Sequence, residues 1–328
     1  MGKDRDRSSP PIEIYGPQGL REWLRIAIRY NYARVVPNYI VHELMNIPMA
    51  SLDSSNNISF DYNIDKSSWV NRCNNNKIVL QPDEQFGEVG EGKDIYPTYT
   101  NTFSSDDNMP IYQVLDEGEV TVHAVPTISS LLSAPCVGYV INECSKPGRL
   151  NPESITPIIK KNYDALEQKG YKHPMKVLAT IKSLPKGESF TFPDGNTVRQ
   201  QDVVEGERIG RKIVICGNAY NNKSLEELGC NADMLVHEAT NLYSSSLLGT
   251  MNGDYVTPYA AGVFASKIKA KKLILNHFPS RHNGDANWES MCTMRNFEKQ
   301  AIEGSKNWLN DHTAVSSWDF MTLPIPSN

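Results

Sequence analysis

No stretch of the 328-residue sequence approaches the roughly 18 to 20 apolar residues that cross a bilayer as a helix. The opening MGKDRDRSSP has neither the apolar centre of a secretory signal nor the serine that a myristoylation signal requires. No membrane partner is therefore expected. The cytoplasm is the default compartment, and nothing readable separates it from the nucleus or an organelle. The six cysteines include no C-x-x-C pair, and Cys136 and Cys216 lie in apolar runs, which points to buried free thiols in a reducing compartment. None of the seven histidines pairs as H-x-H or H-x-x-x-H, so spacing alone assembles no zinc cluster. There is no internal repeat. There is also no overall basic excess, because the formal charge is −5, which argues against a generally basic nucleic-acid binder.

What is present is a hydrophobic fraction of 39%, enough for a sizeable core in one large or two ordinary domains. The charge is unevenly spread. Residues 145–186 carry nine Lys/Arg against three Asp/Glu, whereas residues 82–119 carry ten acids and one lysine and read as solvated loop. IEIYGPQGLREWLRIAIRY alternates, breaks at Gly16-Pro17, and continues with Leu20, Trp23, Leu24, Ile26 and Ile28 at helical spacing: strand, turn, helix. IVHELM at 40–45 reads as a strand, as do VTVHAVP (120–126) and CVGYVI (136–141), which should be neighbours. In the basic segment Thr156 reads as a helix cap with Pro157 in the first turn and Gly170 as the stop, and Asp194-Gly195 as a hairpin turn. KIVICGN, ADMLVHEAT and KKLILNHF are apolar strands ending in polar residues, with helical stretches at 222–229 and 257–269 between them. That alternation belongs to a layered α/β architecture whose ligand sites gather at one sheet edge.

Asn218, His237, Glu238 and His277 are thus placed to converge at one mouth. His277 stands where a rigid scaffold holds a metal ligand, although one histidine at a strand end is more often structural. His237 and Glu238 are neighbours on a strand and point to opposite faces, so at most one of them looks into a given cleft. The lysine-rich residues 160–186, interleaved with Tyr163 and Tyr171, suit a nucleic-acid backbone as well as they suit a solvated face.

The segments IEIYGPQGLREWL, KPGRLNPE, FPDG, GRKIVICGN, ADMLVHEAT, KKLILNHFPSRH and DFMTLPIP follow one another from Ile12 to Pro326. In that order they resemble the tRNase Z (ribonuclease Z) family of metallo-β-lactamase-fold endonucleases, in its short, homodimer-forming branch. The resemblance implies an α/β chain covering the αββα metallo-β-lactamase sandwich with its N-terminal strands missing. The activity it implies is that of a zinc phosphodiesterase, a 3′-tRNA processing endoribonuclease that removes the trailer of precursor tRNA with two zinc ions. It divides the chain into the start of the body (1–50), an acidic, polar, mobile insertion (51–110), body strands (111–144), a basic arm-like segment that grips tRNA (145–200) and the C-terminal α/β half (201–328).

Residue by residue the resemblance carries over unevenly. The family's chief metal motif, H-x-H-x-D-H, precedes the I-Y-G-P-x-G-L segment, and no such motif stands before Ile12 here. A further metal-binding histidine falls on Leu132, the metal-bridging aspartate on Asn218, and the proton-donating histidine of H-S-T on Tyr255 in YVTP. Leucine cannot coordinate zinc, a neutral amide is a weak donor, and a phenol with a pKa of about 10 is a poorer proton donor than imidazole. Glu238 in HEAT keeps the family's catalytic glutamate, and His277 in LNHF keeps a ligand of the second metal. The expectation is a non-catalytic protein holding zinc weakly or not at all. It would bind precursor tRNA through Lys160, Lys161, Lys169, Lys172, Lys176 and Lys182, as a homodimer or as a heterodimer with an active protomer. Two alternatives stand beside it: an active zinc-dependent enzyme whose H-x-H-x-D-H half lies outside this chain, and a decaying paralogue or truncated gene model.

Overall fold

The computed structural model of the chain describes residues 9–31, 36–52, 58–61, 80–99, 110–127, 135–146, 148–149, 151–185, 187–203, 206, 208–217, 223–242, 257–278 and 288–325. It divides into two compact units, residues 1–143 with 212–325, and residues 144–211.

The larger unit opens with strand β1 (Ile12–Pro17) and helix α1 (Leu20–Tyr30), followed by β2 (Tyr39–Leu44), which runs parallel to β1. Gly19 enters the helix at φ 97, a left-handed conformation that glycine adopts without steric cost. The Glu43 carboxylate then accepts from the Gly19 and Arg21 amides, both at 2.9 Å, so a side chain from β2 caps α1. β3 (Met49–Leu52) and β4 (Ile58–Asp61) form a hairpin. β5 (Asp94–Ile95) adds to β2 and completes a small parallel sheet in the order β1-β2-β5. β6 (Thr98–Tyr99), β7 (Pro110–Asp116), β8 (Val120–Thr127) and β9 (Cys136–Glu143) then build an antiparallel run.

Residues 80–99 correct the reading of the acidic tract as solvated loop. Glu88 is buried and meets Arg25 of α1, and Gly92 approaches β2 so closely that an added Cβ would lie 1.8 Å from the Val41 carbonyl oxygen. The rest of the expected 51–110 insertion, apart from the β3–β4 hairpin, lies largely outside the described residues.

The smaller unit has its own core of Ile155, Ile159, Leu166, Val177, Ile181, Phe192, Val198 and Val203. It contains α2 (Pro152–Lys161), α3 (Tyr163–Gln168), α4 (Val177–Lys182), the hairpin strands β10 (Ser189–Thr191) and β11 (Thr197–Arg199), and the short α5 (Gln200–Val203). The cap of α2 is Asn151 rather than Thr156: Asn151 accepts from the Glu153 amide, Pro152 fills the first turn, and Pro157 lies inside the helix. Asn151 and Pro152 satisfy the same preferences one turn earlier, and the Thr156 hydroxyl is turned back on the Pro152 carbonyl. Gly170, at φ 96, follows α3, and Gly195, at φ 84, sits in the hairpin turn.

The chain returns to the larger unit with β12 (Lys212–Ile215), α6 (Lys223–Leu228), β13 (Met234–Glu238), α7 (Pro258–Lys267), β14 (Leu273–Asn276), α8 (Trp288–Gly304) and β15 (Ala314–Ser316). These four strands are parallel and join β9 to make one mixed eight-stranded sheet, β15-β14-β13-β12-β9-β8-β7-β6. One face carries α7 and α8 over Val214, Leu235, Leu273 and Leu275, with Phe297 of α8 in the same core. The other face packs Tyr112, Ala124 and Tyr139 against Leu44 and Ile95 of the small sheet. The Tyr139 hydroxyl donates to the Tyr15 carbonyl at 2.9 Å across that second layer. With α1 on the outer face of β2, the order of layers is helix, sheet, sheet, helix, an αββα sandwich.

Candidate functional site

The ends of β12, β13 and β14 lie side by side, because parallel strands in register deliver their C-terminal residues to one edge. Glu238 of β13 is aligned with Asn276 of β14, so the next residue along, His277, meets the glutamate. His277 leaves the strand at φ 60, a left-handed conformation uncommon for non-glycine residues but one that histidine, like asparagine and aspartate, adopts more readily than most. Its Nδ1 lies 3.2 Å from Glu238 Oε2. The imidazole is largely exposed, with 62% of its side-chain surface open, while the carboxylate is buried. Burial pushes the Glu238 pKa above the ordinary carboxylate value and His277 pulls it partly back. The other oxygen, Oε1, is buried without a hydrogen-bond partner among the described residues, as is Asn276 Oδ1.

His237 points to the opposite side of β13. It is buried, donates from Nδ1 to the Glu238 carbonyl at 2.8 Å, and lies 6.0 Å from the Phe264 ring of α7. Desolvation lowers its pKa, which keeps it neutral and structural. Cys216, just past β12, is buried, and burial together with the nearby Glu238 charge pushes its thiol well up. It is a packing residue here, since nucleophilic cysteines need a lowered pKa.

Of the residues singled out in the sequence, Glu238 and His277 are thus brought into contact. Leu132, Asn218 and Tyr255 lie outside the described residues. Sequence reasoning did not foresee that His277 itself would pair with Glu238; the one-residue offset between HEAT and LNHF on adjacent parallel strands is the signal that could have found it. A zinc site needs about four donors, three of them from protein in a catalytic centre. Among the described residues no group of three His, Cys, Asp or Glu side chains comes together to hold an ion. The His277–Glu238 pair alone does not make up such a zinc site.

Lys160, Lys161, Lys169, Lys172, Lys176 and Lys182 are all exposed and all belong to the smaller unit. Lys161 also reaches Asp194 Oδ2 of the hairpin turn at 3.3 Å. Tyr163 is exposed on the same unit.

No family model matches the chain. It is 27% identical over 325 residues to zinc phosphodiesterase ELAC protein 1 of Homo sapiens, covering 97% of this chain and 76% of that protein. It is 30% identical over 219 residues to ribonuclease Z of Bacillus subtilis, covering 65% of this chain and 61% of that protein. Among solved structures it is similar to human tRNase Z, short form, with 20% identity and a TM-score of 0.44 over 97% of this chain and 69% of that one.

Proposed function

Because the chain is a homologue of the ribonucleases Z and of zinc phosphodiesterase ELAC protein 1, we propose that it binds precursor tRNA and does not itself cut it. The observation that carries this reading is a contrast between the two units. The 144–211 unit has a core of its own and presents six exposed lysines with an exposed tyrosine, the chemistry that holds a phosphate backbone and stacks on a base. The sheet mouth of the other unit brings together one glutamate and one histidine. At the positions where the resemblance puts two metal ligands and a proton donor stand Leu132, Asn218 and Tyr255. Their side chains supply no strong metal donor and no imidazole. Cutting would then fall to an active protomer paired with this one, while this chain binds and orients the RNA.

The names of the relatives favour one other reading, an active zinc-dependent processing enzyme. Two measurements separate the readings. The purified full-length chain should bind precursor tRNA with a log–log salt slope of about −5 for six phosphate contacts. Reversing charge at Lys160, Lys161, Lys169 and Lys172 should abolish that binding, and an unchanged affinity would sink the proposal. Zinc bound at one or more per chain, together with cleavage of precursor tRNA, would establish the enzyme instead.

A further inference from the structure

His42 of β2 is only 6% exposed and lies stacked on Tyr15 of β1, the ring centroids 4.5 Å apart and the planes within 14°. Its Nδ1 accepts from the Lys93 amide at 3.1 Å. A ring nitrogen that accepts carries no proton, so the neutral imidazole holds its hydrogen on Nε2. Nε2 is buried and meets no hydrogen-bond partner among the described residues; Glu13 Oε2 stands 3.9 Å from it, beyond hydrogen-bond reach. The ring is thus set between two groups with opposite demands, a backbone donor that needs a bare nitrogen and a carboxylate that attracts a cation. What the amide contact fastens is short. β5 has two residues, and residues 93–95 are held by the Glu43 amide on the Lys93 carbonyl at 3.0 Å, by the Met45 amide on the Ile95 carbonyl at 2.8 Å and by Asp94, which accepts from Arg21 of α1 at 3.0 Å. Of these contacts only the Lys93–His42 bond involves a group that titrates near neutrality.

We propose that this bond is an acid-operated latch: a proton taken up from solvent at His42 Nδ1 turns the ring and the Lys93 amide into facing donors, so that residues 93–95 let go of β2 while the imidazolium turns to Glu13. The charges around the ring fit that exchange. Glu13 of β1 favours the imidazolium, whereas Lys93 and Arg21 of α1 oppose it, and departure of residues 93–95 removes one of the two opposing charges. The Glu13 side chain is 51% exposed, so its carboxylate can close the 3.9 Å gap without repacking the interior. Tyr15 stays a neutral phenol, its pKa pushed up to about 12 by burial and by Glu13, to which it donates. Glu117, just past the end of β7, adds negative charge on the Tyr15 side. Burial holds His42 below its ordinary 6.5, which keeps the latch closed at neutral pH. The opening is local, because β5 is an edge strand of the sheet β1-β2-β5 and not a member of the eight-stranded one. Its release uncovers the edge of β2 and withdraws the Asp94 carboxylate from Arg21.

The latch does not depend on RNA binding, so failure of the RNA-binding reading would leave it untouched. Amide hydrogen exchange of the full-length chain, corrected at each pH for the intrinsic exchange rate, reads it directly. Protection of the Lys93 and Met45 amides should fall by about tenfold for each pH unit once His42 takes up its proton, while the Leu235 amide of β13 keeps its protection. Nitrogen NMR of the His42 imidazole should show Nδ1 gaining its proton over the same range. His42→Gln offers a side-chain oxygen to the same amide without titrating, and its Lys93 protection should not respond to pH. Glu13→Gln removes the attracting charge, so the loss should begin at a lower pH, and this surface change keeps the test readable if His42→Gln does not fold. Lys93 protection that holds as His42 is protonated, an equal loss in His42→Gln, or a parallel loss at Leu235 would overturn the proposal.

Discussion

Arg25 of α1 and Glu88, 63 residues further along, form a two-pronged ion pair almost wholly out of solvent. The pair fastens the inner face of α1 to the stretch that leads into β5, and the guanidinium makes a third contact with the Leu80 carbonyl at 2.7 Å. Removing one partner of a buried pair leaves the other charge uncompensated. Arg25→Ala should therefore cost about 3 to 5 kcal/mol of unfolding free energy. Arg25→Lys keeps the charge without the fork and should recover only part of that. Urea denaturation followed by circular dichroism checks both, and a loss of well under 1 kcal/mol in Arg25→Ala would mean the pair does not hold α1.

The apolar stripe Leu20, Trp23, Leu24, Ile26 and Ile28 was legible in the sequence as a helix, but the direction it faces was not. That direction is set by Glu43, Glu88 and Asp94, acidic residues that no local pattern links to Arg21 and Arg25. For the same reason the acidic tract looked like solvated loop: composition cannot reveal which carboxylate finds a buried partner far away in the chain. The strands β12, β13 and β14 were plain because buried parallel strands are continuous apolar runs. Their polar ends announced the mouth. The Glu238–His277 contact stayed hidden because it depends on the register between two strands, which periodicity does not encode.

His123 of β8 gives a dependence on pH with a definite sign. Burial pushes its pKa below the ordinary 6.5, Asp116 pulls partly back, and Nδ1 is buried with no hydrogen-bond partner among the described residues. A base whose folded pKa is depressed binds fewer protons folded than unfolded, so its contribution is fully present above pH 6.5. It is lost as the pH falls from there toward the folded value. His42, also lowered chiefly by burial, acts in the same direction. Wild-type unfolding free energy should thus decline below pH 6.5, and His123→Leu should flatten part of that decline, which melting curves across the acidic range will show.

In the smaller unit Asn162 joins α2 and α3 to the hairpin. Its Nδ2 donates to the Ile158 carbonyl at 2.9 Å, and its Oδ1 accepts from the Asp194 amide at 3.0 Å. Asn162→Ala leaves the Asp194 amide without this acceptor and should cost about 1 to 3 kcal/mol. Asn162→Asp keeps the acceptor, loses the donor and should fall between the two. Hydrogen exchange at the Phe192 and Val198 amides reports the unit locally, and unchanged protection in the alanine variant would remove Asn162 from this role.

Gly262 of α7 sets intrinsic helix propensity against close packing. Alanine is favoured over glycine inside a helix by about 1 kcal/mol, so propensity alone would make Gly262→Ala stabilising. A Cβ at this position, however, would stand 1.9 Å from the Ala301 carbonyl oxygen of α8, and one at Gly304 would stand 2.1 Å from the Tyr259 carbonyl oxygen of α7. The two helices meet backbone to backbone at both points, and backbone cannot swing aside as the end of a flexible side chain can. Overpacking of this kind costs about 1 to 3 kcal/mol or more, which outweighs the propensity gain. Gly262→Ala should therefore destabilise the larger unit, and the double variant with Gly304→Ala should lose less than the sum of the two single losses, because one forced separation of α7 from α8 relieves both clashes. Strict additivity in thermal unfolding would show instead that each site relaxes on its own.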